Sequence, residues 1–405
     1  MTARGRAVLG LGVLCWVAAV VFGSPALYPA AAGLVLAVPL AVAWVRITLR
    51  QPRVARRWPH ESLLEGDEVR VELVLEREPG LPLPNVLAHE RVGRIAEEEV
   101  ELRSRGRGRH TGSYRLRDVP RGRHRFAPVR LSIADPFGLA DASLTLEEER
   151  QALVVYPRLA DLDQLFFDGG AGPEHGRRLL LRRPVGFELH SVRDYQQGES
   201  LRRVHWPSTA RRGSLMVKEL EDSPRDEVAV LLDGDPAAVV GSPPDSSFDA
   251  AVRAAGSILL AQVRRGRRCV LVLNSAGREM QRVSSDRQEW QRALELLAEA
   301  EPDAPGPAAT LLRSADGAAA RSLELVVVTS RIEPSLVDRL LERALTHRGV
   351  ALVYVEAESF AGRKRRLEPA LLRLQAAGVP VAVVRRGEDL AAALDGAGSA
   401  EAARA

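Results

Sequence analysis

The spacing of hydrophobic positions divides the chain into three regions. Two unbroken apolar runs, Ala7 to Phe22 and Ala30 to Val45, come first. From Glu61 to Pro157, apolar and polar residues alternate in short segments, which is the period of half-buried strands. After Val228, short apolar runs alternate with segments of helical spacing. The chain therefore predicts two membrane helices, an all-β domain and an α/β domain, in that order.

The two apolar runs predict a transmembrane hairpin within residues 1–58. Gly23, Ser24, Pro25 and Pro29 supply the turn, and neighbouring uncharged residues extend each run toward the roughly 20 residues of a span. The connecting loop is uncharged, whereas arginines flank the outer ends: Arg4, Arg6, Arg46, Arg50, Arg53, Arg56 and Arg57. The positive-inside rule then predicts a two-pass protein of the inner membrane, with both ends in the cytoplasm and the lipid bilayer as a partner.

A cleaved signal peptide is the alternative for the first run, which has a basic start and a short apolar core. The second run that follows, and Leu14 rather than a small residue before Cys15, favour the hairpin. The two cysteines, Cys15 and Cys269, suggest no disulfide framework, which agrees with a cytoplasmic soluble part.

Residues 59–158 predict a small antiparallel β-sandwich, with alternating segments at Val69 to Leu75 and Val129 to Ile133. Turn signals separate these segments, among them Glu78-Pro79-Gly80 and Asp135-Pro136-Phe137-Gly138. For the basic run Arg103 to Arg109, a solvated hairpin tip is favoured over a contact with phosphate or lipid head groups.

Residues 226–405 predict a doubly wound α/β domain with helices on both faces of a parallel sheet. The expected strands are Val228 to Leu232, Cys269 to Leu273, Leu323 to Val328, Val350 to Val355 and Val379 to Val384. The expected helices are Phe248 to Val263, Arg287 to Ala298, Pro334 to Thr346, Arg366 to Ala376 and Glu388 to Leu394. Ligands collect beyond the carboxyl ends of such strands, and the first strand runs into Asp233-Gly234-Asp235. Asp233 and Asp235 are therefore candidate ligands for Mg²⁺ or Mn²⁺.

Residues 159–225, between the two domains, contain a dense polar and aromatic block from Gly186 to Glu221. Its spacing fits neither a helix stripe nor a strand alternation. The order of its residues resembles the hallmark of the family called domain of unknown function 58, and the turn Asp135 to Leu139 and the paired membrane segments resemble that family too. The matching positions are Phe187, Arg193, Tyr195, Gly198, Arg202, Trp206, Ala210 and Arg211, with Glu199 where the family has Asp.

The resemblance implies a membrane-anchored protein with a C-terminal domain similar to von Willebrand factor A domains, often encoded beside a MoxR-type AAA+ ATPase. It brings no enzymatic activity. Domains of the von Willebrand type typically bind a divalent cation through Asp-x-Ser-x-Ser, a Thr and a further Asp. Here Asp233 keeps the first position, Asp235 and Ala237 replace the two serines, and Thr329-Ser330-Arg331 lacks the further Asp.

Three interpretations of the block remain open. A structural tie between the domains is favoured, with Trp206 as a buried anchor and the Tyr195 hydroxyl on a polar partner. A docking surface is the second, because exposed Trp, Tyr and Arg dominate binding energies. A hydrolase is the third, with His205 as general base, Ser208 or Ser214 as nucleophile and Asp194 as the orienting carboxylate.

Charge argues against a nucleic-acid partner, since 57 basic and 53 acidic residues leave a net charge of +4 and are interspersed. We therefore predict a membrane-anchored, non-enzymatic interaction or assembly protein that partners a MoxR-type AAA+ ATPase. The alternatives are a divalent-cation-dependent binding module at Asp233 and Asp235, and a hydrolase.

Overall fold

The computed structural model forms two compact units, Met1–Tyr156 and Pro157–Ala405. The residues it describes are 1–48, 52–59, 62–77, 85–106, 108–146, 151–168, 188–194, 204–221, 228–313, 317–346, 348–363 and 368–395. At residue 85 and residues 188–194 and 217–221 the description covers the backbone alone.

Two long helices begin unit 1. Helix α1 spans Ala3–Val21 and helix α2 spans Leu27–Thr48, and both are long and apolar enough to cross a membrane. Trp16 and Tyr28 meet edge to face, with ring centroids 5.4 Å apart, and help to pair the helices. The predicted pair of apolar helices is confirmed. Pro29, expected in the turn, lies instead in the first turn of α2, where a proline costs no intrahelical hydrogen bond.

The rest of unit 1 is β-rich, as predicted. Its strands are β1 Arg53–Arg57, β2 Leu63–Leu64, β3 Val69–Glu76, β4 Asn85–Val92, β5 Ala96–Ser104, β6 Arg109–Leu116, β7 Gly122–Arg125, β8 Val129–Ala134, β9 Asp141–Leu146 and β10 Ala152–Tyr156. Seven of them form an antiparallel sheet in the order β1-β3-β6-β5-β4-β8-β9, and the other three form a sheet in the order β2-β10-β7. Alternate side chains of both sheets enter one apolar core, which explains the period-two pattern of the sequence.

A buried ion pair lies in that core. The Arg56 Nε donates to the Glu90 carboxylate at 3.0 Å and its Nη2 donates to the other oxygen at 3.1 Å, a two-point contact. The Tyr114 hydroxyl donates to Glu90 at 3.3 Å, and burial together with that carboxylate raises the pKa of Tyr114. The side chains of Arg56 and Glu90 are both excluded from solvent. Each charge therefore depends on the other.

Unit 2 is built on a six-stranded mixed sheet. Its strands are β13 Val228–Asp233, β14 Cys269–Asn274, β15 Met280–Val283, β16 Glu324–Thr329, β17 Gly349–Val355 and β18 Val381–Val384. They lie in the order β15-β14-β13-β16-β17-β18, which is the order 3-2-1-4-5-6 of doubly wound sheets. Five strands are parallel and match the predicted apolar runs, while β15 is antiparallel and was not predicted.

Helices cover both faces of this sheet. Their bounds are α4 Ser247–Arg264, α5 Arg287–Glu299, α6 Ala309–Arg313, α7 Ala318–Arg321, α8 Pro334–Leu345, α9 Ala357–Phe360, α10 Pro369–Ala376 and α11 Leu390–Leu394. Val230 and Leu232 of β13 point to α4, α5 and α11, whereas Ala229 and Leu231 point to α6, α7, α8 and α10. Both faces of β13 are therefore buried, which explains its unbroken apolar sequence.

The polar block contains regular structure that its spacing did not predict. Strand β11, Glu188–Asp194, pairs antiparallel with β12, Met216–Glu221, and the short helix α3, Trp206–Arg212, precedes β12. The spacing of polar and apolar residues gave no sign of these segments. A two-stranded pair and a two-turn helix are too short for a periodic pattern to be visible among polar residues.

Replacing Arg56 with Met should destabilise unit 1 by about 3–5 kcal/mol, because the Glu90 carboxylate would stay buried without its cation. Arg53→Met is the matched control, since Arg53 points outward from the same strand and its loss should cost no more than about 0.5 kcal/mol. Hydrogen exchange of the β3 and β4 amides measures the difference. Equal protection in the two variants would contradict the role given to the ion pair.

Candidate functional site

The carboxyl ends of β13, β14 and β16 meet at the point where the chain reverses the direction in which it adds strands. Along the chain, β14 is added on one side of β13 and β16 is added later on the other side. Asp233, Asn274 and Thr329 are the last residues of these three strands. Ligands of doubly wound proteins bind at such a switch point. A ligand of this domain is therefore expected at this edge.

Asp233 binds the ends of both neighbouring strands. Its Oδ1 accepts a hydrogen bond from the Asn274 amide nitrogen at 2.7 Å, and its Oδ2 accepts one from the Thr329 hydroxyl at 2.8 Å. All three side chains are buried. Burial raises the pKa of the Asp233 carboxyl, and the two hydrogen bonds offset part of that rise.

Asp235, the second predicted metal ligand, is paired with an arginine. The Arg331 Nη1 lies 3.1 Å from Asp235 Oδ2, and its Nε lies 3.7 Å from Glu333. The Asp235 Oδ1 accepts a hydrogen bond from the Ala237 amide at 2.9 Å. Within the described ranges, no group of three or more His, Cys, Asp or Glu side chains is placed to hold a metal ion. The guanidinium thus supplies at Asp235 the positive charge that a metal would bring.

A close-packed loop covers the same edge. The Gly234 amide donates to the Asn274 carbonyl at 3.0 Å, and the Ala304 amide donates to the Gly234 carbonyl at 3.0 Å. A side chain at position 234 would place its Cβ 2.6 Å from the Asn274 carbonyl oxygen. Glycine is therefore required there. The covering loop is the segment Glu301 to Pro307, whose Ala304 makes the second of these contacts.

A second concave region lies at the carboxyl end of β18. Its volume is about 210 Å³, below the roughly 300–1,000 Å³ of sites for small molecules and cofactors. Its lining combines apolar residues with acidic and basic ones. The lining residues are Asp245, Ala250, Arg253, Phe360, Val384, Arg385, Arg386, Gly387, Glu388 and Leu390. Its size does not favour a cofactor.

Helix α3 presents the one tryptophan of the polar block. The Trp206 side chain is 64% exposed, so the expectation that it is a buried anchor is wrong. The buried side chains here are Val204 and Met216, at 4% and 1% exposure. The Met216 amide donates to the Thr209 hydroxyl at 3.0 Å, which fixes α3 against the start of β12. Val204 and Met216 thus take the buried positions on either side of α3, and Trp206 faces outward.

One side-chain contact favours the hydrolase interpretation, and two backbone hydrogen bonds argue against it. His205 Nδ1 and Ser208 Oγ are 2.8 Å apart, as a base and a nucleophile would be. However, the Ser208 and Thr209 amides both donate to the His205 carbonyl, at 3.1 and 3.0 Å. The nearest donors for a developing oxyanion are therefore occupied. The contact is one between neighbours in the first turn of a helix.

The structure describes three of the other signature positions. Ala210 and Arg211 are exposed on α3 together with Trp206. Arg193 lies in β11, where its backbone is opposite Val217. Phe187, Tyr195, Gly198, Glu199 and Arg202 lie outside the described residues. Asn274 and the pairing of Arg331 were missed, and the only signal for them was their position at the ends of predicted strands.

Comparison with known proteins gives the family of the central segment. Residues 191–358 match the family model described as "Protein of unknown function DUF58". This segment is a DUF58 domain. The resemblance read from the polar block is confirmed at that level. The DUF58 domain includes α3, Asp233, Asp235, Thr329 and Arg331.

One curated protein and one solved structure are similar to this chain to different degrees. The chain is 25% identical over 359 residues to the "Uncharacterized protein YeaD" of Bacillus subtilis (strain 168), and the match covers 84% of each chain. A solved structure, Cwp6 from Clostridium difficile, aligns with 82% of this chain at 11% identity and a TM-score of 0.21. The chain spans 45% of the length of that structure, and so low a score has no bearing on the fold.

Replacing Asp233 with Asn should remove a pH dependence of stability. A carboxyl whose pKa is raised on folding contributes its full stability below the unfolded pKa of about 3.9, and loses it as pH rises through the folded pKa. The introduced side-chain amide can still accept from Asn274 and can donate to Thr329, whose hydroxyl can donate to the Arg331 carbonyl at 2.8 Å. The variant should match or exceed the wild type in melting temperature at neutral pH. This advantage should shrink as the pH is lowered. An advantage that grows on acidification would contradict the assignment.

Replacing Arg331 with Ser should expose a cation site. Without the guanidinium, the carboxylate of Asp235 is free to bind a cation two residues after Asp233. The affinity for Mn²⁺ should therefore rise about tenfold or more over the wild type. Arg331→Lys is the control, because it keeps a positive charge near Asp235. Calorimetric titration with Mn²⁺ measures both. A gain that survives Asp235→Asn in the Arg331→Ser background would place the metal elsewhere.

Proposed function

We propose that this protein is a membrane-anchored, non-enzymatic interaction protein whose DUF58 domain docks a MoxR-type AAA+ ATPase through helix α3. The observation that carries the proposal is the exposure of Trp206 on a helix in which no residue is buried. Tryptophan is among the residues that contribute most to binding, and leaving so large an apolar ring in water is unfavourable unless a partner covers it.

The surroundings of Trp206 fit a protein partner. Arg211 and Arg212 occupy the last turn of α3, and Leu215, which follows the turn at Gly213, is 40% exposed. A short helix that carries both an exposed apolar ring and guanidinium groups suits a partner surface that combines an apolar pocket with carboxylates. The resemblance to the family provides the identity of that partner, the AAA+ ATPase.

The anchor is the pair α1 and α2. Both have the length and hydropathy of membrane spans, and arginines flank their outer ends. We propose that both helices span the inner membrane and that the β-rich part of unit 1 and the whole of unit 2 face the cytoplasm, as the positive-inside rule predicts.

The binding module we propose is similar to a von Willebrand factor A domain that works without a metal. The strand order of unit 2 and the position of Asp233 at the end of its first strand support the similarity. The ion pair between Asp235 and Arg331 supports independence from Mg²⁺ and Mn²⁺, since the guanidinium already neutralises one of the two predicted ligands. Complex formation should therefore survive a chelator.

Trp206→Ala should abolish recovery of the AAA+ ATPase when the full-length protein is purified from native membranes. Because the Trp206 ring is exposed, its removal should change the free energy of unfolding by no more than about 0.5 kcal/mol. Leu345→Ala is the matched control, because Leu345 is also exposed but lies at the end of α8. That variant should recover the ATPase as the wild type does.

Met216→Ala separates docking from folding. Met216 is fully buried, so this change should destabilise the protein by about 2–5 kcal/mol. Recovery of the ATPase by Trp206→Ala at the wild-type level would refute docking through α3. A stability loss for Trp206→Ala equal to that of Met216→Ala would restore the structural interpretation.

A further inference from the structure

The turn between β8 and β9, Asp135 to Leu139, is a rigid support for an exposed phenylalanine. The Asp135 carboxylate is buried and accepts hydrogen bonds from the Phe137 amide at 2.9 Å and from the Ala140 amide at 2.6 Å. Gly138 has a φ of +70°, which other residues rarely adopt. The Phe137 ring is 78% exposed. The turn therefore holds an apolar ring in contact with water, which is unfavourable. The ring would be more stable in an apolar environment.

Both apolar helices contact this turn. At the start of α1, the Thr2 hydroxyl donates to the Gly138 carbonyl at 2.6 Å and the Thr2 amide donates to the Leu139 carbonyl at 3.1 Å. Leu139 forms one buried cluster with Ala41 and Val45 of α2. The turn is thus fixed to the same end of both helices.

The contacts define the level of the turn along the helices. Val45 is the last residue of the second apolar run, and Ala41 lies four residues earlier, about 6 Å along a helix. Thr2 lies just before the first apolar run, next to the exposed Arg4 and Arg6. Leu139 is therefore at the boundary where the apolar spans give way to charged residues. That boundary corresponds to the head-group region of a bilayer.

Strand register places a basic hairpin at the same end of the seven-stranded sheet. Ala134, the end of β8, is opposite Asn85, and Val86 is opposite Leu102 at the end of β5. The β5–β6 turn that follows contains Arg105 and leads to Arg109. Among the residues that the structure describes, the exposed arginines at this end include Arg53 at the start of β1 and Arg103, Arg105 and Arg109 of the β5–β6 hairpin. The turn at Arg94, at the other end of β4, is therefore remote from the helices.

We propose that this end of unit 1 docks onto the bilayer surface, with the Phe137 ring in the interface and the arginines of the β5–β6 hairpin on anionic lipid head groups. Transfer of an aromatic ring from water to the boundary between head groups and acyl chains is favourable. Each nearby arginine is attracted to the negative charge of an anionic leaflet. Arg103 is paired with Glu101 at 3.5 Å, an exposed and weak contact that a lipid phosphate can replace. The inference rests on α1 and α2 spanning the membrane, as proposed above.

Spin labels on the full-length protein in nanodiscs test the position of Phe137. The labels are attached at Phe137→Cys and, as the control, at Arg94→Cys, in a Cys15→Ala, Cys269→Ala background. Power saturation with oxygen and with a water-soluble nickel complex reports the depth of each label. The label at position 137 should be at least tenfold more accessible to oxygen relative to nickel than the label at position 94. Equal ratios at both positions would overturn the proposal.

Lipid composition tests the arginines. A label at Ser104→Cys, beside the hairpin tip, should lose mobility in nanodiscs that contain phosphatidylglycerol relative to nanodiscs of phosphatidylcholine alone. Arg105→Gln with Arg109→Gln should remove that difference. A label with the same mobility in both lipids would overturn the part given to the arginines.

Extraction of membranes with alkaline carbonate separates this inference from the anchoring on which it rests. Release of the protein by carbonate would show that α1 and α2 do not span, and both proposals would fail. Retention of the protein together with a water-exposed label at position 137 would overturn the docking of Phe137 alone.

Discussion

The carboxylate of Asp233 joins the ends of three neighbouring strands, and the rest of the carboxyl edge of unit 2 is arranged around it. One oxygen is held by β14 through Asn274 and the other by β16 through Thr329. A buried carboxylate needs hydrogen-bond donors on both oxygens because removing its charge from water costs free energy. The same need explains why the pKa of Asp233 stays raised even with both hydrogen bonds in place. Two neutral donors compensate only in part for a missing cation.

The cation at this edge is an arginine, and that choice has structural consequences. Arg331 ties the loop after β16 to the loop after β13 through Asp235, and the segment Glu301 to Pro307 closes over Gly234. The edge therefore satisfies its own charges and backbone groups. A metal ion would find few free carboxylate oxygens at a site arranged in this way. The exposed side chains of α3, in contrast, are free to contact a partner. Recognition by a tryptophan and arginines would then replace recognition through a bound ion.

Long elements with regular spacing were predictable, and short or polar ones were not. The strand Val228–Asp233 and the helix Ser247–Arg264 came within a residue or two of the expected bounds, because burial on both sides or on one face leaves a clear pattern. Strand β15 has only four residues, two of them polar, and was missed. The structural interpretation of the polar block expected Trp206 as a buried anchor, yet Val204 and Met216 take the buried positions. Sequence spacing does not show whether the residues of so short a helix or those on either side of it are buried. Asp233 was found from its place at a strand end, whereas its partners are far away in sequence and depend on the sheet order.

The two edges of the unit 2 sheet restrict how the domain can associate. The strands at these edges, β15 and β18, have four residues each. So short an edge offers few unpaired backbone groups to a strand from another chain. A complex built on this domain cannot gain much of its strength from a sheet continued across the interface. Its strength must then come from individual side chains, so that evolution can strengthen, weaken or redirect the association by single substitutions while the fold stays unchanged.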